Sequence, residues 1–438
     1  MKRSLMWFTQ DQRLDDNPAL RLAAEADEML CVFVVEQGWF QSRRYQYPQM
    51  GPHRWVFLQL SLSELNQRLQ LHGQRLLVVY GQAEVEIGRL VERYDINRVV
   101  RARSPGTDEL RQWRWLESQF PETEWCQADA ATLFEDDQVA GLSRSWPMSF
   151  SAFRRLAERW VVPAVTAMPQ LPNTITQQIS QLTLPDWLPN ARASHSMFDG
   201  GESEALRHLD CYLASDYPQT YKRDRNAIDD WDSSSKMSPW LNAGNLSARR
   251  LKQKLDEYDQ QHGASDGTHW LFVELLWREY FQWLAQSIGT KLFHFQGLSE
   301  HKPLTSFYSD RFRNWREGNT PWAIVNACMR QLKETGYLSN RGRQIAASAL
   351  VNELALDWRY GAAWFEYCLV DYDVASNWGN WQYIAGVGTD SRGGRHFNID
   401  KQTELFDADG SFRARWAADA EPQPLDTLDP TGWPIAYR

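Results

Sequence analysis

The chain has 438 residues, 43% of them apolar and 24% charged, which fits a soluble globular protein of roughly two or three domains, each able to bury a core. Its formal net charge of −9 excludes uniformly basic nucleic-acid binding and leaves only a local patch as a polyanion footprint. Five scattered cysteines without a Cys-x-x-Cys pair exclude a disulfide framework and a zinc site; a short N-terminal apolar run and no stretch of about 18 apolar residues make a cytoplasmic protein the expectation.

In chain order, residues 5–8, 30–35, 76–80, 98–101 and 124–127 read as strands, and 17–26, 53–71, 83–94 and 107–120 as the helices between them. Alternation at this spacing predicts an α/β, doubly wound parallel-sheet domain over residues 1–130. The first turn, residues 9–18, has neither a Gly-x-Gly-x-x-Gly nor a P-loop pattern, so a standard nucleotide grip there is unsupported. Residues 131–195 form a proline-interrupted connector. Helical periodicity then predicts an all-α domain over 196–420, and 421–438 is a C-terminal tail.

The chemistry-bearing residues concentrate in the helical part, and 13 of the 22 tryptophans lie between Trp231 and Trp433. That excess fits ring stacking, electron transfer or simple packing. Ser234, Ser235, Lys236, Met237 and Ser238 precede a predicted helix beginning at Pro239; hydroxyls, a cation and free amides there can cradle a pyrophosphate, or Ser238 can merely cap the helix. Glu274, Trp277, Arg278 and Phe281 share one helix face, as a polar-aromatic pocket wall or as a core with a buried Glu274–Arg278 pair. Asn340 is placed to cap the next helix, and Arg341 and Arg343 in its first turn are unfavourable without a nearby anion. The alanines and serines of residues 345–350 fit close approach of a flat ligand or tight helix packing. Between residues 301 and 345, eight Lys/Arg face three acids, as a polyanion footprint or a solvated basic face. Residues 386–391, with two glycines, read as a turn. Finally, residues 371–383 place Asp371, Tyr372, Asp373 and Asn377 among indoles, a site for a flat redox-active ring.

Trp-Arg-Glu-Gly at 315–318, Ser-Asn-Arg-Gly-Arg-Gln at 339–344, Asp-Trp-Arg-Tyr-Gly-Ala at 357–362 and Asn-Trp-Gly-Asn-Trp-Gln-Tyr at 377–383 give the chain its resemblance. It resembles the photolyase/cryptochrome flavoproteins, most closely the DASH cryptochromes. The resemblance implies FAD in the helical domain, with Tyr221 and residues 234–238 at its phosphates and Glu274 and Arg278 near the adenine end. Arg343, Asp371, Tyr372, Asp373 and Asn377 would surround the isoalloxazine, with Asn377 against N5. Glu274, Trp277, Arg278, Asn340, Arg341, Gln344, Tyr383 and Gln402 match positions facing the lesion or DNA.

The implied activity is blue-light-driven repair of cyclobutane pyrimidine dimers, a carbon-carbon lyase reaction. Reduced excited flavin donates an electron and the split dimer returns it, leaving no net redox change. Tyr383 and Gln344 are the DASH-like choices and favour single-stranded DNA. A blue-light photoreceptor with little repair activity is the alternative. Trp381 and Trp358 match the relay tryptophans nearest flavin, and Glu274, Asn377, Trp381 and Trp358 are the expected catalytic set. The third relay position falls on Thr305, with Phe307 and Tyr308 as the nearby aromatics. A folate antenna (5,10-methenyltetrahydrofolate) between the domains is compatible, with Glu109 as a contact. No metal is expected, and the molecule is expected to act as a monomer.

Overall fold

The computed structural model describes residues 1–42, 45–142, 146, 148–175, 197–389, 394–417 and 425. Five strands, β1 (Arg3–Phe8), β2 (Glu28–Glu36), β3 (Leu76–Gly81), β4 (Arg98–Ala102) and β5 (Glu124–Ala128), form a parallel sheet in the order β3-β2-β1-β4-β5. A two-residue strand, β6 (Asn173–Thr174), joins β2 beside Glu28 and Met29. The strands run almost continuously apolar because both sheet faces are covered. Met29, Cys31, Phe33 and Val35 of β2 enter one core, and Leu30, Val32 and Val34 enter the other. Period-two alternation thus sorts one strand onto two faces.

The covering helices are α1 (Pro18–Ala23), α2 (Pro52–Leu71), α3 (Ala83–Arg93) and α4 (Thr107–Gln119). α2 gives Trp55, Leu58, Leu62, Leu65 and Leu69 to the sheet and Phe57 to the core of the helical domain. Strand order reverses between β1 and β4, so their carboxyl ends open the crevice where doubly wound folds bind ligands.

The connector contains α5 (Asp136–Ala140), α6 (Phe150–Ala157) and β6, short elements that the proline pattern concealed. Pro185 and Pro189, and the predicted tail apart from Leu425, lie outside the described residues. The helical domain comprises α7 (Glu202–Leu213), α8 (Tyr217–Asp224), α9 (Ser238–Ala243), α10 (Ala248–His262), α11 (Asp266–Ile288), α12 (Ser309–Glu317), α13 (Ala323–Thr335), α14 (Asn340–Ser348), α15 (Trp358–Cys368), α16 (Val374–Ala385), α17 (Ile399–Phe406) and α18 (Ser411–Ala417). Among the described residues no helix is long and apolar enough to cross a membrane.

The first turn, which carries no nucleotide motif, is the clamp between the domains. Buried Arg13 donates to Gly244 O (3.0 Å), Ala130 O (2.7 Å), Asp16 O (2.7 Å) and Asp15 O (2.9 Å). Arg250 pairs with Asp15 at 2.6 Å, and buried Glu202 accepts from the amides of Leu14 and Asp15. Gly244, at φ 78°, lies so close to the Gln10 and Asp11 backbone that a Cβ could not fit.

Candidate functional site

A cavity of about 340 Å³ opens inside the helical domain, walled by α8, the 233–238 loop, α11 and α14 to α16. Tyr221, Ser234, Ser235, Lys236, Met237 and Ser238 line it from one side. Glu274, Arg278, Asn340, Arg343 and Gln344 line it from α11 and α14, and Asp371, Tyr372, Asp373, Asn377, Trp381 and Tyr383 from the α15–α16 corner. Residues as far apart in sequence as Tyr221 and Tyr383 therefore line one cavity.

Charge in this cavity is organised around Asp371. Arg343 Nη2 donates to both of its carboxylate oxygens (3.0 and 2.7 Å), Ser238 Oγ donates to Oδ2 (2.6 Å), and Asn242 donates to its backbone carbonyl. Burial works against the Arg343 charge, but Asp371 outweighs it and raises the guanidinium pKa. Asp373 caps α16, accepting from Ser376 N (2.7 Å) and Gln282 Nε2 (2.8 Å). Asn377 Nδ2 donates to Ala362 O (3.0 Å), which fixes its amide plane. Glu274 accepts from Arg225 Nη1 (2.6 Å) and Trp270 Nε1 (3.2 Å); burial raises its pKa against both of these partners.

The structure corrects several sequence-based expectations. Ser339, rather than Asn340, caps α14 by accepting from Gly342 N (3.1 Å), and Asn340 becomes the exposed first residue beside the cavity. Ser238 starts α9 with no side-chain capping bond, because its hydroxyl is taken by Asp371. The Lys236 ammonium is drawn back to Asp230 O (3.1 Å) and Ser234 Oγ (2.7 Å), between the Trp231 and Tyr337 rings; burial lowers its pKa to about 8. Glu274 and Arg278 do not pair: Arg278 donates to Ala131 O and Leu241 O. Trp277 adjoins the cavity through Tyr383, ring centroids 6.3 Å apart, while Phe150 covers its other neighbour position by stacking at 3.5 Å. Arg341 reaches Gln402 (3.3 Å) and Asn226 (3.1 Å) beside the cavity.

The basic stretch does not form one footprint. Arg343 is inside the cavity, Arg313 pairs with Asp310, and Arg316 and Lys333 share Glu317. Sequence reading missed Arg225, whose distance of 49 residues from Glu274 hides the pair, and Arg395, which lies over the Tyr383 ring at 5.0 Å.

Indoles continue from the cavity into α15. The Trp381 ring rests on Gly361, and Trp358 is one turn away on that helix, fully buried and donating Nε1 to Phe295 O (3.0 Å). Trp381 also meets Phe365 (5.1 Å) and Trp315 (6.3 Å). At the position of Thr305 no ring is present; Phe307 stacks on Tyr360 at 4.1 Å, and Tyr308 is exposed under Arg311. Trp358 meets Trp378 edge to face at 5.8 Å.

A second cavity, about 1220 Å³, lies at the sheet's switch point between the domains. Trp7, Ala102, Ser104 and Glu109 line it from the sheet side, and Glu366, Tyr372 and Trp378 from the helical side. Tyr372 and Asn242 line both cavities, so the two are separated by a single layer of side chains.

The sequence profile of DNA photolyase matches residues 4–173, and that of the FAD binding domain of DNA photolyase matches residues 270–431. Cryptochrome DASH of Idiomarina loihiensis is 44% identical over 437 residues, covering 98% of this chain and 96% of that protein. The crystal structure of Synechocystis cryptochrome superposes with a TM-score of 0.90 at 35% identity, covering 98% of this chain and 93% of that one. An archaeal photolyase from Sulfolobus tokodaii, described with two FAD molecules that imply a novel light-harvesting cofactor, gives a TM-score of 0.78 at 26% identity over 96% of this chain and 92% of that one. This chain belongs to the cryptochrome DASH branch of the photolyase family. Its helical domain is the family's FAD-binding domain, and the cavity chemistry fits that cofactor. Arg278 Nε and Gln344 Oε1 are buried without a partner among the described residues, leaving one donor and one acceptor on cavity residues for a ligand.

Proposed function

We propose that this DASH cryptochrome repairs cyclobutane pyrimidine dimers in single-stranded DNA under blue light. The observation that carries the reading is the shared wall: Glu274, Asn340, Gln344 and Tyr383 line the same cavity as Asp371, Asn377 and Trp381. A pyrimidine dimer drawn out of the strand would therefore meet polar edge contacts beside the flavin contacts. FAD supplies light-driven electron donation when bound. The chain's residues orient, exclude water and neutralise charge. With FAD bound, Asn377, its amide fixed by Ala362 O, would face N5, the compensated Arg343–Asp371 pair would stand at the ring edge, and Glu274 would offer a hydrogen bond to a pyrimidine. Arg225 on the cavity wall, Arg341 beside it and Arg395 over Tyr383 serve as phosphate contacts, and Trp277 and Tyr383 as apolar walls. Gln402 positions Arg341. Tyr221 and Ser234 to Ser238 hold the dinucleotide's phosphates, with the Ser234 and Ser235 hydroxyls as donors because the Lys236 ammonium is engaged within the loop and the Ser238 hydroxyl with Asp371.

The cavity at the switch point holds a second chromophore in this reading, a folate antenna with Glu109 among its contacts. Its place at the carboxyl ends of β1 and β4 and its separation from the flavin cavity by one side-chain layer support that role. Absorption spectra before and after acid release of chromophores would show FAD together with a pterin.

Repair is tested by illuminating the fully reduced holoprotein with a dimer-containing single strand and measuring restored thymines. Restoration is expected, with weaker turnover on duplex DNA; no restoration leaves the photoreceptor reading instead. Binding to the strand should weaken with added salt, because phosphate contacts release counterions.

A further inference from the structure

Aromatic and ionisable side chains adjoin one another where the two cavities share a wall. Trp378, 4% exposed, contacts Trp358 at 5.8 Å and donates Nε1 to the Tyr372 hydroxyl at 3.2 Å. Tyr372 and the Glu366 carboxylate line the same wall of the interdomain cavity and interact electrostatically, and the Arg54 guanidinium lies over the Tyr372 ring, 4.5 Å from the centroid. An indole on one side of a phenol and a buried carboxylate on the other is the arrangement that lets a phenol lose an electron and a proton together. Arg54 makes this coupling obligatory, because a cation over the ring opposes accumulation of positive charge on it.

We infer that Tyr372 is the terminal electron donor of the relay through Trp381, Trp358 and Trp378, with Glu366 as acceptor of its proton. FAD, when bound and excited in its oxidised form, supplies the one-electron oxidant for Trp381, and every later transfer is between residues of this chain. The vacancy in charge passes from Trp381 to Trp358 and on to Trp378. Tyr372 then gives one electron to the Trp378 radical cation, its O–H bond breaks, and the proton forms a new O–H bond on Glu366. A neutral indole, a neutral tyrosyl radical and a protonated carboxyl result. A small thiolate entering the 1220 Å³ cavity, which Tyr372 and Glu366 both line, returns the electron and leaves as a thiyl radical, while Glu366 returns the proton. The exit therefore faces the interdomain cavity instead of the surface at Thr305. This reading depends on flavin binding and is independent of DNA repair.

Glu366 must be ionised to act. Burial pushes its carboxyl up to about 7, opposed by Arg54 from α2, by Tyr372 and by Trp378 of α16, and assisted by Glu109 from α4. The tyrosyl yield should accordingly rise with pH through about 7, and one unit below that be about a tenth of its high-pH plateau, as the carboxylate fraction falls.

The experiment is electron paramagnetic resonance of the FAD-loaded, oxidised protein under blue light without added reductant. A tyrosyl spectrum is expected, narrowed when ring-deuterated tyrosine is incorporated, and replaced by a tryptophan radical in Tyr372→Phe. Glu366→Gln should remove the tyrosyl signal at pH 8 while the tryptophan radical still forms. A tyrosyl signal that survives Tyr372→Phe, or a native spectrum indifferent to tyrosine deuteration, overturns the assignment. Full tyrosyl yield in Glu366→Gln overturns the role of Glu366. Added thiol should shorten the tyrosyl lifetime in proportion to its concentration. If Tyr372→Phe fails to retain FAD, deuteration of the native protein and Glu366→Gln still decide.

Discussion

Arg343 is held by Asp371 on one side and by the Leu338 carbonyl on the other, at 2.8 Å from Nε. Asp371 has a side chain only 2% exposed, so removing its cation strands a charge where water cannot reach it. Arg343→Met should therefore lower stability by about 3 kcal/mol, the lower end of the range for breaking a buried pair, since Arg343 itself keeps partial solvent contact. Urea unfolding of the FAD-free protein measures this. Adding Asp371→Asn should recover part of the loss, because the stranded charge is then gone; an additive double variant would show that the two side chains do not act as a pair. At this scale the sequence was readable in kind and not in detail. The carboxylates and amides of residues 371–377 announced a polar heterocycle site, yet which serine capped a helix and which acid met which arginine depended on contacts across the fold. Ser238 would cap α9 if Asp371 were not 2.6 Å from its hydroxyl. Glu274 would meet Arg278 one turn away if Arg225 did not arrive first. Local spacing ranks possible partners, and tertiary packing chooses among them.

The α15–α16 pair supplies most of the flavin-side wall, and a glycine sets its spacing. A Cβ on Gly361 would stand 2.7 Å from Trp381 Cζ3 and closer still to Cη2, inside a buried ring that has no free direction to move. Two effects of Gly361→Ala compete. Helix propensity favours alanine by about 1 kcal/mol, whereas overpacking a close core costs about 1–3 kcal/mol. The second should win, since an indole 2% exposed between Phe365 and Trp315 cannot rotate away. A lower melting temperature and weaker FAD retention are expected for Gly361→Ala, with both restored in part by Trp381→Phe, whose smaller ring withdraws from the added methyl. Strands and most helices were legible to within two residues over the first 128 positions, because each strand is an apolar run and each helix repeats on one face; the first helix stops three residues short of its expected end, at Ala23. The connector was harder to read: α5, α6 and β6 are too short to show a period, and β6 exists only because β2 offers an edge beside Glu28 and Met29.

At the scale of the whole molecule, the interdomain cavity exists because two separately cored units are locked at a fixed distance by the turn after β1. That turn was visible in the sequence only as an absence of glycines, since the groups it binds lie up to 235 residues away. Arg13 is the centre of the lock: 2% exposed, it donates to carbonyls on the turn itself, on residue 130 and on residue 244. Burial lowers its pKa, opposed by Asp16, Asp11, Glu202 and Asp15, so the site is balanced by acids on both domains. Arg13→Met would keep much of the volume and strand those acceptors, each lost partner costing about 1–3 kcal/mol for a buried group. Among the described residues the sheet cores and the helical core are separate clusters, bridged by α2 and by Tyr45 and Tyr47 before it, so the seam should yield before either core does. Calorimetry of the native protein should show one cooperative transition, and Arg13→Met should separate it into two, with the earlier loss of any chromophore bound between the domains. A single transition merely shifted to lower temperature would place the coupling in α2 instead, where Phe57 and Trp55 face opposite cores from one helix.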